Sequence, residues 1–213
     1  MDSTPDGAAA PEDARIDETY ELHKTLTEDL MAVLGPAKAG DQAARRAYVR
    51  AAFALIDGMT FRMKATALTM GGGSFSPGEQ ALLQEREYFL SEAGGVETRK
   101  ARINTLKNLR FTFAMLVKAG TSEWSPAYGG DGWSAMRAAI AVRDQLTHPK
   151  SVADLHVGDE QLAQSTRAVT WFTSSLLKIM FGIAEAQRKK SGRTVELSPI
   201  LAEHIEHIEK SAS

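Results

Sequence analysis

Trp133-Ser134-Ala135-Met136-Arg137-Ala138-Ala139-Ile140-Ala141-Val142-Arg143-Asp144-Gln145-Leu146-Thr147-His148-Pro149-Lys150-Ser151 carries two adjoining apolar lines and then a stop. The lines, Trp133/Met136/Ile140 and Ala135/Ala139/Val142/Leu146, recur at steps of three and four and predict a helix buried over a broad face. Pro149 disfavours helical geometry in the residue before it, so the helix should open at His148. Arg143 points between the two apolar lines, where a guanidinium needs a partner or an anion. Asp144 and His148 are four residues apart and share a helix face, which would let the carboxylate hold the imidazole in one tautomer. Arg143 and His148 differ by five residues, roughly 140° around an ideal helix, and so occupy different sectors.

The segments on either side are also helical in pattern. Ile16, Tyr20, Leu22, Leu26, Leu30 and Val33 predict a helix over 15–34 that Gly35-Pro36 should end. Asp41 is a plausible cap for the longest helix, running to Met70 before Gly71-Gly72-Gly73. Arg62 and Lys64 within it read as solvated flanks, with facing the site as the alternative. Ser76-Pro77-Gly78-Glu79 has the form of a capping box with proline at the first helical position, and its helix is expected to reach about Ser91. Another is expected from Glu97 to Lys118, with Lys100, Lys107 and Lys118 along one side. The loop from Gly120 to Gly132 is too long for a tight turn, and Trp124 and Tyr128 should pack it down. Asp159 is a plausible cap for a helix to about Lys190, and Ser198-Pro199 starts a last short one. The expected fold class is therefore all-α: a single-domain, mostly antiparallel bundle of about five core helices with terminal arms. Its parts are a disordered acidic segment at 1–14, the bundle at 15–190 and a C-terminal helical arm at 191–213.

Composition removes several classes of function. At 213 residues and 43% hydrophobic content the chain can bury one good core. It has no cysteine, which excludes disulfide staples, thiolate metal sites and cysteine nucleophiles, and suits a reducing compartment. The start, Met1-Asp2-Ser3-Thr4-Pro5-Asp6-Gly7, lacks the basic and apolar regions of a signal peptide. Ala168 to Ala184 is the most apolar window, yet Thr170, Thr173, Ser174, Ser175 and Lys178 make it a poor membrane span. A cytoplasmic protein without membrane contact is expected. Residues 1–30 hold nine acidic side chains against Arg15 and Lys24, so the net charge of −2 conceals a mildly basic remainder. That suits a local positive rim, not a dedicated nucleic-acid binder. His204 and His207 could share a face and bind a metal, but Ile200, Ile205 and Ile208 explain their helix as an amphipathic arm. No Gly-x-Ser-x-Gly, Walker or Rossmann pattern occurs. Only the segment Arg143 to His148 competes for chemistry.

Over about residues 130–185 the chain resembles the HEPN superfamily (higher eukaryotes and prokaryotes nucleotide-binding), small helical proteins marked by an arginine, usually a polar residue directly after it, and a histidine a few residues on. Arg143, Asp144 and His148 carry the resemblance, together with Thr147-His148-Pro149-Lys150 and the following amphipathic helix with Trp171-Phe172. Asparagine is the commoner residue after the arginine; Asp144 stands there in this chain. The resemblance implies a metal-independent endoribonuclease without cofactor, of the toxin or defence-effector kind, whose site forms between two protomers of a homodimer acting on single-stranded RNA. An antitoxin or a nucleotidyltransferase-like protein is the further partner it implies. Metal-free RNA cleavage needs a base for the 2′-hydroxyl and a cation for the phosphorane. His148 suits the base and Arg143 the cation, with Asp144 orienting one of them and Lys150 and Ser151 placed to contact a neighbouring phosphate. The competing expectation is a non-catalytic helical dimer that binds a nucleotide or a partner protein.

Overall fold

A computed structural model describes residues 12–191, with side chains described over 18–190. The chain order is α1 (Glu12–Lys38), α2 (Gln42–Gly71), α3 (Pro77–Leu83), β1 (Arg86–Leu90), β2 (Val96–Lys100), α4 (Thr105–Gly120), α5 (Asp131–Thr147) and α6 (Asp159–Ser191). The described residues are thus mostly helical, with one two-stranded antiparallel hairpin. The expected segments 1–14 and 191–213, and with them His204 and His207, lie almost wholly outside the described residues; residues 12–14 belong to α1 and Ser191 closes α6.

The core forms around α2. Its buried side chains Val49, Ala52, Phe53, Ile56, Met59, Met63 and Ala67 recur at helical steps, and α1, α4, α5 and α6 all pack against this helix. Asp41 starts it as expected, its Oδ1 accepting from the Ala43 and Ala44 N–H groups at 2.7 and 3.1 Å. On the far side, Phe113 of α4 meets Phe172 and the edge of Trp171 from α6, each at 6.0 Å between ring centroids. Close approach here requires glycine: a Cβ on Gly120 would lie 2.2 Å from Ile183 Cγ1, and one on Gly132 would lie 2.3 Å from Trp171 Cδ1.

Five expectations are corrected. First, α1 does not stop at Gly35-Pro36 but runs to Lys38 with Pro36 inside. The extra turn is held from outside, since Ala37 is fully buried and its carbonyl accepts from Arg45 Nε at 3.0 Å. Second, the longest helix is α6, of 33 residues, rather than α2, of 30. Asp159 is its first helical residue and pairs with Arg45, whose Nη1 also donates to the Val157 carbonyl at 2.9 Å. Third, α3 ends at Leu83, and Glu85 at φ 58° turns the chain into β1. Residues expected to extend two helices form the hairpin instead, paired from Arg86↔Lys100 to Leu90↔Val96. Fourth, the lysine stripe dissolves, because Lys100 is on β2 and Lys118 of α4 bonds both carboxylate oxygens of Glu79, at 2.8 and 2.9 Å. Fifth, Lys64 is no solvated flank: it is 1% exposed, with its Nζ 3.4 Å from Glu85 Oε1. Arg62 reaches Glu18 at 2.9 Å and Thr19 Oγ1 at 3.0 Å.

The Ser76 capping box is present as expected. Lys118 bonded to Glu79, together with the Ser76 N–H donating at 2.7 Å, pulls the Glu79 carboxyl down to about 2 from an ordinary 4.5. A depressed carboxyl stabilises the fold above its unfolded pKa, and that contribution fades as pH falls from about 4.5 toward 2. Carboxyl NMR titration should find Glu79 near that value, and Lys118→Ala should move it upward. An unmoved midpoint in the variant would show that Lys118 is not the cause.

Candidate functional site

Helix α5 ends where the sequence places its stop. His148 is the C-cap residue, at φ −128° and ψ 58°, and its N–H donates to the Asp144 carbonyl at 3.0 Å. Its side chain is exposed, and no hydrogen bond or ion pair of the imidazole occurs among the described residues.

Arg143, one turn earlier, is half-buried, and each of its three guanidinium nitrogens makes at least one bond. The two apolar lines beside it are both buried, and the guanidinium emerges between them onto the Phe53 ring, 4.8 Å from its centroid. Asp144 Oδ1 accepts from Nε at 3.0 Å and from Nη2 at 2.8 Å. Thr105 Oγ1, at the start of α4, accepts from Nη1 and Nη2 at 3.3 and 3.4 Å. Asp57 Oδ2 of α2 stands 3.9 Å away. Three helices therefore converge on one cation.

Of the two roles open to Asp144, the structure shows one. Its carboxylate holds Arg143 and makes no hydrogen bond to the His148 ring among the described residues. The tautomer-holding contact expected from the four-residue spacing is absent because the helix opens at His148, so the ideal i, i+4 geometry no longer applies. Lys150 and Ser151 lie in the connection after α5. Their backbone N–H groups donate to Asp154 Oδ2 at 2.7 and 2.9 Å, and the Ser151 hydroxyl caps the 3-10 turn Val152–Leu155. These bonds, led by the one from Lys150, hold the Asp154 carboxyl below the usual range.

Phe53, Asp57 and Thr105 are the members that spacing did not reveal. Asp57 keeps 59% of its side-chain surface, so it sits on the rim of the cluster. The protein around it withdraws enough solvent to raise its carboxyl pKa; Arg143 opposes this and the charge of Glu85 adds to it. Glu85 in turn pairs with the buried Lys64, so a charged run extends from Asp144 through Arg143 and Asp57 to Glu85 and Lys64, with the two carboxylates Asp57 and Glu85 adjacent in it.

No family model, curated protein or solved structure matches the chain.

The atoms in place offer an exposed imidazole at the end of α5 and a planar cation on the preceding turn. A groove of about 660 Å³ runs along α6 past Lys38, Arg45, Gly132, Leu162 and Trp171, and includes none of Arg143, Asp144 and His148. No cluster of three or more histidine, aspartate or glutamate side chains suited to a metal occurs among the described residues. No helix there is long and apolar enough to cross a membrane. The aromatic loop packs down as expected, Tyr128 standing edge-on to Trp133 at 5.0 Å with Arg110 over both rings.

Proposed function

We propose that the chain is a HEPN-type, metal-independent endoribonuclease, toxin-like or defence-effector-like, whose site is completed by a second copy of itself. One observation carries this reading: His148 presents an unbonded imidazole at the open end of the helix that also carries the half-buried guanidinium of Arg143. In the proposed reaction His148 takes the 2′-hydroxyl proton and O2′ attacks the adjacent phosphorus. The 5′-oxygen leaves and takes up a proton, and a 2′,3′-cyclic phosphate remains. Arg143 donates its fork to the non-bridging oxygens as charge gathers there. A two-fold dimer would bring His148 of one chain and Arg143 of the other to one phosphate. Lys150 and Ser151 would face the neighbouring phosphate, and an antitoxin or nucleotidyltransferase-like partner would restrain the activity.

The test is incubation of single-stranded RNA with the pure protein in the presence of chelator. Cyclic-phosphate ends should appear; if cutting requires a divalent metal, the proposed mechanism fails.

A second reading, the non-catalytic helical dimer binding a nucleotide or a partner protein, is favoured by the two bonds with which Asp144 already fills the fork of Arg143. Absence of any cutting by the wild-type protein would favour this second reading, and Asp144→Asn tests the part the carboxylate plays in the first. Asparagine keeps one acceptor but removes the charge that competes with phosphate, so a nuclease should retain or gain cutting rate. A complete loss of cutting would instead show that the carboxylate charge is required.

A further inference from the structure

The hairpin rises from the bundle beside the Arg143 cluster, since Glu85 precedes β1 and Thr105 follows β2 after four intervening residues. Its backbone bonds have a definite phase. Ser91 N–H donates to the Gly95 carbonyl at 2.9 Å and Ala101 N–H to the Glu85 carbonyl at 2.8 Å. In an antiparallel ladder alternate facing pairs exchange these bonds, which makes Glu87/Arg99 and Phe89/Glu97 the bonded pairs. The N–H and C=O groups of Val96, Thr98 and Lys100 therefore point away from β1, along an edge that no other strand covers among the described residues; the Thr98 carbonyl accepts one long bond there, from Arg86 Nη2 at 3.4 Å, and keeps its second lone pair.

Charge on that edge strand is self-complementary in one register only. If two β2 strands pair about a two-fold axis at Thr98, the outward groups of Val96, Thr98 and Lys100 meet those of Lys100, Thr98 and Val96 in the second copy. Glu97 then faces Arg99 of the other chain, twice, in the non-hydrogen-bonded positions where side chains come closest. Sliding the register by one repeat in either direction sets Glu97 against Glu97 or Arg99 against Arg99. Glu97 is exposed and has no bonded partner among the described residues. Arg99 keeps 63% of its side-chain surface while bonding Glu87 Oε1 at 2.7 Å, so its fork retains free donors. The same pairing lays each hairpin tip, where Leu90 and Val96 are 73% and 74% exposed, alongside the base of the other hairpin.

We propose that β2 is a homodimerisation edge, joining two copies of this chain into a four-stranded antiparallel sheet with Glu97–Arg99 pairs across the two-fold axis. This goes beyond the ribonuclease reading and holds whether or not RNA is cut. It fixes a register, and so makes a sharper demand than dimerisation alone.

The experiment is a charge swap followed by sedimentation. Glu97→Arg alone puts arginine against arginine, and Arg99→Glu alone puts glutamate against glutamate. Each should weaken the dimer at least about tenfold, two cross-strand pairs turning from attraction to repulsion. An equimolar mixture of the two variants restores both pairs and should recover the dimer, as should the double variant Glu97→Arg/Arg99→Glu. Recovery in the mixture also shows that each variant is folded. Because the chain has no cysteine, Glu97→Cys mixed with Arg99→Cys supplies a second measurement: under oxidant the two should join by an interchain disulfide at the close 97/99 pair, while Tyr88→Cys on the other strand should form none. A monomeric wild-type chain at 100-fold-diluted through concentrated samples, single variants as dimeric as wild type, or a mixture that fails to pair would each overturn the proposal.

Discussion

His148→Ala and Arg143→Ala should each lower RNA cleavage by about 10²-fold or more, the usual scale for removing a general base or a principal charge stabiliser. The histidine variant is the cleaner of the two. Its ring is exposed and bonded to nothing among the described residues, so alanine removes an acid–base group while leaving the packing of α5 alone. Thermal unfolding of His148→Ala should therefore match the wild-type chain, and a rate loss with unchanged stability is chemical in origin. Arg143→Ala differs because the guanidinium stacks on Phe53 and neutralises Asp144 beside Asp57. Its removal leaves two carboxylates without their shared cation, and some loss of stability should accompany the loss of rate. Undiminished cutting by His148→Ala would assign the cleavage to another site and return the protein to the class of binding modules.

Phe113→Ala should destabilise the fold by about 3–5 kcal/mol, the largest effect expected of any single truncation here. The ring, on α4, is fully buried and contacts Trp171 and Phe172 of α6. Deleting it removes apolar burial and leaves a cavity that the surrounding helices cannot close without moving together. Phe61→Ala is the natural comparison, since that ring is 54% exposed on α2 and should cost under about 1 kcal/mol. Urea unfolding of the two variants measures both. Similar midpoints would mean that the aromatic cluster is not the centre of the core.

Which parts of this protein the sequence by itself determined follows from the range of the interactions involved. Helix starts are local: Asp41 and Ser76 satisfy N–H groups two or three residues ahead, so their patterns were readable without a partner. The opening of α5 at His148 is local too, being a steric effect of Pro149. The inward faces of α2, α5 and α6 are set by helical periodicity, which is why the mostly helical fold was legible.

Tertiary structure decided the rest. Gly35-Pro36 has the local form of a helix stop, but burial of Ala37 and the bond from Arg45 outweigh one missing backbone hydrogen bond. The hairpin carried a signal that helical periodicity masked, namely two five-residue runs around a Gly94-Gly95 turn with Tyr88, Phe89, Val96 and Thr98 in them. Five residues are too few for a period of two to stand out against one of 3.6, and the ladder between the strands settles the choice. Lys64 shows the same limit, since nothing near it in the chain announces Glu85 as its partner. At the site, sequence supplied Arg143, Asp144 and His148, whereas Phe53, Asp57 and Thr105 come from helices far along the chain. Whether Asp144 serves the histidine or the arginine was a matter of side-chain direction at a helix end, and the guanidinium is fixed beside that carboxylate by its contacts with Phe53 of α2 and Thr105 of α4.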